Sequence, residues 1–198
     1  MKILQMLMLL VVFNVHAALP GDSVYQLTSQ WQNRYDNPVN LAELAGKKQI
    51  VALIYTDCIT ACPVIVSDMK AIQKALTPVQ QQQVGFVLVS LTPARDTPKI
   101  MRHFAKKRGL NQHWSLLSGH DADVRTLAMA LSIQYMGLAD GDIAHSNAIS
   151  VLDEQGRLQF QQVGLPGGPE ALINKVWPQT KLEALRDTPS VKDKPGIL

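Results

Sequence analysis

Apolar positions along this chain follow two rhythms. Three stretches are apolar almost without a break: Gln49 to Tyr55, Val84 to Leu91, and Trp114 to Leu117. Short β-prone runs of this kind predict strands buried on both faces. Elsewhere the apolar residues recur every three or four positions. Ile65, Met69, Ile72 and Leu76 lie on one stripe and predict a helix over 63–76. Thr97 and Pro98 are a good N-cap and first-turn pair, opening a helix that runs to Arg108 with Gly109 as its C-terminal cap. Asp121 is expected to cap a helix through Leu131 that buries Val124, Leu127 and Leu131. Ala148 to Leu152 and Leu158 to Val163 flank Asp153-Glu154-Gln155-Gly156, a hairpin signal, and Pro169 to Trp177 reads as a last helix. Upstream, 23–40 predicts an extended hairpin with Tyr25, Leu27 and Trp31 as apolar contacts and Asp36-Asn37-Pro38 as its turn. A single helical turn over Leu41 to Ala45 closes at Gly46.

Strands alternating with helices, then a hairpin followed by a helix, give the order βαβ…ββα. The fold class is therefore α/β: a thioredoxin-like fold, its central mixed sheet flanked by helices, with an N-terminal β-hairpin extension. The length of 198 residues suits one domain with a full core. A formal charge of +3 is only mildly basic. Lys and Arg are scattered, and the densest group, Lys106-Lys107-Arg108, sits at a helix C-terminus, where the peptide dipoles favour cations. A nucleic-acid partner would want basic residues gathered on one face with aromatics between them, so none is expected.

The N-terminus reads as an address. Lys2 is followed by an apolar stretch from Ile3 to Phe13, broken by Gln5, and then by Val15-His16-Ala17, a small-residue cleavage signal. Three regions are expected: a secretory signal peptide over 1–18, a thioredoxin-like domain over 19–178, and a polar tail over 179–198. The stretch is short of the roughly 20 apolar residues of a spanning helix, although its retention as an uncleaved anchor is the alternative. Arginine is absent before Arg34, unlike Arg-rich mitochondrial presequences. The expected compartment is the bacterial periplasm, where thiols are oxidised unless a reductant or a metal intervenes.

That compartment makes two residues decisive. Cys58 and Cys62 are the chain's two cysteines, spaced C-x-x-x-C after the first buried run, with Pro63 following. Cys62 is placed at a helix start, where the dipoles favour its thiolate, and Cys58 on the preceding loop as the more exposed sulfur. Such a pair can close a disulfide or hold a soft metal. A structural staple is the plain alternative, but a loop this small gains little chain entropy from closure. His145, in Ala144-His145-Ser146, is the candidate third ligand. Two thiolates and one imidazole suit Cu(I) better than closed-site zinc, which wants four ligands. His103, His113 and His120 are expected to be solvated, and Met69, Met101 and Met129 to be core residues.

These segments also resemble a family. Tyr55-Thr56-Asp57-Cys58 through Cys62-Pro63, Val89 through Pro98, Asp142 through Ser146, Leu152 through Gly156, and Gly46-Lys47 are similar, in that arrangement, to the Sco/SenC copper-chaperone proteins. The resemblance implies the thioredoxin-like fold and copper held by Cys58, Cys62 and His145. It implies a recipient such as subunit II of cytochrome c oxidase, with a periplasmic thiol reductant keeping the sulfurs open. Contact with a membrane would come through the recipient or an uncleaved N-terminal segment. Many members carry aspartates where this chain has Thr92 and Ala144. The second change removes an acidic group beside the imidazole, so Cu(I) is expected ahead of Cu(II).

The leading expectation is thus a copper metallochaperone. The runner-up is a thiol–disulfide oxidoreductase in which Cys58 attacks and Cys62 resolves. A thiol peroxidase is disfavoured, because Tyr55 and Val51 stand where peroxiredoxins carry Thr or Ser and Pro. The remaining alternative is a non-catalytic domain with a structural disulfide.

Overall fold

The computed structural model describes residues 18–138 and 142–178. The expected signal peptide and polar tail lie outside the described residues, apart from Ala18. The described residues form sixteen short and long elements, and a few of them position everything that matters for the thiols.

Lys48–Ile54 (β3), Val84–Ser90 (β4) and Trp114–Gly119 (β5) are the predicted buried strands, and they pair in parallel, β3 with β4 and β4 with β5. Ala148–Leu152 (β8) joins β3 on its other side, antiparallel, and Leu158–Val163 (β9) follows. Trp31–Asn33 (β1) pairs antiparallel with β5 and with Pro38–Val39 (β2), so the seven-stranded sheet runs β2-β1-β5-β4-β3-β8-β9.

Alternate side chains of the central strands leave on opposite faces. Ile50, Ala52, Ile54, Phe86 and Leu88 pack into one core with Ala61–Ala75 (α1), Pro98–Arg108 (α3) and Gly168–Val176 (α5). Val51, Leu53, Val87 and Val89 pack into a second core with Asp121–Ala130 (α4) and the N-terminal segment through Val24, Tyr25 and Trp31. Two cores explain the unbroken apolar runs: from Ile50 to Ile54 on β3 and from Phe86 to Val89 on β4, every position is buried on one face or the other.

Several expectations need correction. Part of the supposed extended hairpin is a 3-10 turn, Val24–Gln26, because the Ser23 hydroxyl accepts from the Tyr25 N–H and caps it. Only 31–39 forms the hairpin. A short helix, Pro78–Gln82 (α2), was not anticipated, although Thr77 and Gln80 form a reciprocal capping box at its start. α4 is capped at His120 rather than Asp121. Met129 points away from the core and is 71% exposed, whereas Met69 and Met101 are buried as expected. His103, His113 and His120 are exposed.

The turn of the β8–β9 hairpin locks the N-terminal segment in place. Gly156 has φ +80, and a Cβ there would lie 2.6 Å from the Tyr25 ring. Val24 N–H also donates to the Gly156 carbonyl. Only glycine serves both the left-handed backbone and the ring packed against it.

Candidate functional site

β3 ends at Ile54 and α1 begins at Ala61; the six residues between them carry the first sulfur. The loop is held at two points. Cys58 N–H donates back to the Tyr55 carbonyl. Farther along, Thr56 donates through both its backbone N–H and its hydroxyl to the Asp96 carboxylate. Asp96 is 1% exposed and accepts in addition from the Ser90 hydroxyl at 2.6 Å and the Thr92 hydroxyl at 2.9 Å. A buried carboxylate is tolerated because every side of it meets a donor. It ties the thiol loop to the end of β4. In the sequence Asp96 stood within the Val89–Pro98 segment without a role of its own, because its main partner, Thr56, lies 40 positions away.

Both sulfurs are sealed in the protein: Cys58 is 4% exposed and Cys62 is fully buried. Cys58 is therefore not the open nucleophile expected from its loop position. Both are free thiols in this structure. The electrostatic expectation also reverses. It is Cys58 Sγ, not Cys62 Sγ, that caps α1, accepting the Cys62 N–H at 3.3 Å. Burial works against the Cys58 thiolate, but the Cys62 N–H, the Tyr55 hydroxyl and other donors outweigh it and bring the thiol down to about 7. For Cys62, inside the first turn, burial outweighs the one backbone donor that reaches its sulfur, from Tyr55, and pushes the thiol up to about 12. One turn of helix thus separates a sulfur poised to ionise from one held protonated.

Folding brings His145 to this pair. It lies in a short strand, Ile143–His145 (β7), paired antiparallel with Tyr135–Gly137 (β6) in a separate two-stranded sheet. Its Nε2 stands 3.9 Å from Cys62 Sγ. Nδ1 faces the Ser146 carbonyl at 3.3 Å, a contact that places the proton on Nδ1 and leaves the Nε2 lone pair toward the sulfur. Burial lowers its pKa below the usual imidazole value, with the Ser146 carbonyl and Asp142 opposing, so the ring is neutral at pH 7. Tyr55 packs edge-on against it with ring centroids 6.0 Å apart. The Tyr55 hydroxyl donates to Asp142, whose carboxyl also accepts the Ile143 N–H at 2.8 Å and is held below its ordinary range by the two. Tyr55 thereby links the thiol loop to the histidine strand, another contact not foreseen from the sequence. Asp142 supplies the acidic group that Ala144 lacks.

Among the described residues, no three His, Cys, Asp or Glu side chains form a ready-made metal cage. Cys62 and His145 touch, and the Cys58 sulfur is engaged at the helix N-terminus. The donor set is soft and short of a fourth ligand, which fits Cu(I) and not a closed zinc site.

Comparison with known proteins decides the family. The SCO1/SenC family model matches residues 20–176. This chain belongs to the SCO1/SenC family. A relative in Bacillus subtilis, named "SCO1 protein homolog", is 24% identical over 143 residues, covering 70% of this chain and 74% of its own. A SCO1/SenC family lipoprotein from Bacillus anthracis superposes with a TM-score of 0.66 at 24% identity, over 73% of this chain and 87% of its own. The Bradyrhizobium japonicum ScoI structure, which has copper bound, gives a TM-score of 0.61 at 21% identity, over 80% and 96%. At these identities the two structures speak for the fold, and they place this SCO1/SenC protein on the thioredoxin-like plan expected from its element order. No helix among the described residues is long and apolar enough to cross a membrane.

Proposed function

We infer that this protein is a copper metallochaperone: Cys58, Cys62 and His145 take up one Cu(I) as cargo and release it by ligand exchange to a copper-site recipient such as subunit II of cytochrome c oxidase. The observation that carries this reading is the approach of His145 Nε2 to Cys62 Sγ at 3.9 Å, across 83 residues of chain. Its other nitrogen is already committed to a carbonyl, so the ring is oriented as metal-ligating histidines are. Membership of the SCO1/SenC family, with a copper-bound relative of the same fold, supports it.

Neutral His145 needs no deprotonation to serve as a ligand. Cys58 gives up its proton near neutrality, and Cys62 gives up its own only as the metal displaces it, so loading releases protons and strengthens as pH rises. Titration of the reduced protein with Cu(I) against a competing chelator is expected to give one equivalent bound. His145→Ala should weaken binding by about 10–100-fold, the range seen when ligand orientation is lost, or more, since a donor is removed outright. A stoichiometry far from one, or an unchanged affinity in His145→Ala, would overturn the assignment.

A second reading is favoured by the split between the two thiols: reduction of a partner's disulfide. Cys58 thiolate attacks one partner sulfur and the other leaves as a thiolate that takes a proton. Cys62, on losing its proton, attacks Cys58 Sγ and releases the second partner sulfur. The partner gains two electrons and the chain ends as a Cys58–Cys62 disulfide, to be reopened by a periplasmic thiol reductant. Both roles fit a periplasmic protein exported by residues 1–18; N-terminal sequencing of the mature chain should begin near Leu19, and a chain still starting at Met1 would favour an anchor.

A further inference from the structure

Among the described residues two charged side chains are buried, and they are treated in opposite ways. Asp96 is surrounded by donors. Arg34, 6% exposed, has no such company. Its Nη2 donates to the Asn111 carbonyl at 3.0 Å, but its Nη1 is buried without a hydrogen-bond partner. No carboxylate pairs with it among the described residues. A guanidinium keeps its charge when buried, so an uncompensated one is costly unless something else supplies the anion.

The surroundings show where that anion would sit. A pocket of about 130 Å³ is lined by Arg34 with Asn33, Tyr35, Gln112, Trp114 and Ser115. At ~30 Å³ per water this is room for roughly four waters, or one small polyatomic ion. The Tyr35 ring, 59% exposed, lies 5.1 Å from the guanidinium carbon and lines the pocket beside it. Arg102 Nη1 donates to the Arg34 main-chain carbonyl at 2.8 Å and so fixes the backbone that carries the buried guanidinium. Because β3, β4 and β5 are parallel, Trp114 and Ser115 at the start of β5 lie at the opposite end of the sheet from the thiol loop, which follows the end of β3. The pocket is therefore separate from the sulfur site and independent of the copper reading.

We propose that this pocket binds a small oxyanion of the phosphate class through Arg34 Nη1, with the Ser115 hydroxyl and the Gln112 amide as further donors. The fork of a guanidinium matches such oxygens in pairs, and the low-dielectric setting strengthens the contact. The same chemistry is offered by free phosphate and by the headgroup of an anionic phospholipid.

The test compares the reduced full chain with Arg34→Met, which keeps the side chain's bulk and removes the charge. Melting temperature is followed in sodium phosphate and in sodium chloride at matched ionic strength. Phosphate is expected to raise the wild-type midpoint by several degrees and to saturate, as a ligand of the native state does, while chloride does not. Arg34→Met should lose the saturable response, keeping only the gradual, non-saturating stabilisation that phosphate gives any folded protein by exclusion from its surface, and in phosphate-free buffer should melt at or above the wild type, since an unpaired buried charge has gone. Equal responses to the two salts, or a phosphate response undiminished in Arg34→Met, would overturn the proposal. Should Arg34→Met not fold, phosphorus NMR line broadening of phosphate by the wild type, lessened in Arg34→Lys, supports the site, and broadening equal in both refutes it. Co-sedimentation with phosphatidylcholine vesicles, with and without phosphatidic acid, separates the sources. Arg34-dependent pelleting only with phosphatidic acid assigns the lipid headgroup; a melting response without pelleting assigns the free ion.

Discussion

Brief treatment of the reduced protein with iodoacetamide at pH 7 is expected to alkylate Cys58 roughly 10²–10³-fold faster than Cys62. A thiol near 7 is about half ionised at that pH, whereas one near 12 is ionised at about one part in 10⁵. The lower pKa also makes Cys58 the intrinsically weaker nucleophile. With a Brønsted coefficient of about 0.4–0.5 over five units, that returns roughly 10²-fold to Cys62 and leaves Cys58 well ahead. The sign of the pH dependence follows: labelling of Cys58 rises as its proton leaves and levels off above about pH 7, while Cys62 stays silent through neutrality. Mass mapping of the labelled peptides is the measurement, and equal labelling of the two sulfurs would refute the split. Cys62→Ala removes one group that lowers the Cys58 thiol, the Cys62 side chain, but keeps the larger one, the Cys62 backbone N–H, so the Cys58 midpoint should move upward from about 7 and stay well below that of Cys62. The same variant separates the two proposed roles. If the chain reduces a partner, Cys62→Ala should accumulate a mixed disulfide through Cys58, because the resolving sulfur is gone. If it only carries copper, no such adduct forms and copper retention falls.

Asp96→Ala is expected to destabilise the protein by ~3 kcal/mol. The carboxylate receives the buried Ser90 hydroxyl and, from half-buried positions, the Thr92 hydroxyl and two groups of Thr56, and all lose their acceptor when it is removed. Each stranded donor costs about 1–3 kcal/mol at worst, and local relaxation returns part of the sum. At roughly 2–4 °C per kcal/mol for a domain of this size, the melting temperature should fall by about 6–12 °C. Asp96→Asn, which keeps one acceptor oxygen, should lose less. Because Thr56 stands two residues before Cys58, the loosened loop should also lower Cu(I) affinity at temperatures where the fold is intact. A melting temperature within a degree or two of wild type would show that Asp96 does not hold the loop.

How much of this was legible in the sequence depends on the range of the interaction. The central strands, the three long helices and the β8–β9 hairpin follow from local periodicity and turn residues, and their bounds shift by only a few positions. The elements missed are short. Tyr135–Gly137 and Ile143–His145 have three residues each, too few for a period to declare itself, and each is a strand only because the other lies beside it. The 3-10 turn at Val24–Gln26 hangs on one serine hydroxyl, and α2 on one capping box.

The candidate site divides in the same way. Cys58, Cys62 and His145 were identifiable from residue type and context, and folding brings Cys62 and His145 into contact. The roles of the two sulfurs were not identifiable. A loop cysteine before a helix looks exposed, and a cysteine at a helix start looks activated. Which sulfur meets the free N–H of the first turn is set by how the loop folds back over the helix, and that loop is held by Asp96 from the end of another strand. Tyr55 offers the same lesson. Its place at the end of the first buried run was plain, but its hydroxyl finds Asp142 across 87 residues.

By itself, the sequence determined the α/β plan, the buried strands, the spacing of two soft sulfurs and the histidine suited to join them. These depend on side-chain chemistry and on contacts between neighbours along the chain. Tertiary structure alone decided that both sulfurs are sealed, that Cys58 rather than Cys62 is the readily ionised one, that Asp96 anchors their loop, and that Arg34 is buried without a counter-charge among the described residues. Burial and electrostatics sum over everything packed nearby, whatever its distance along the chain, and only the folded arrangement brings those groups together.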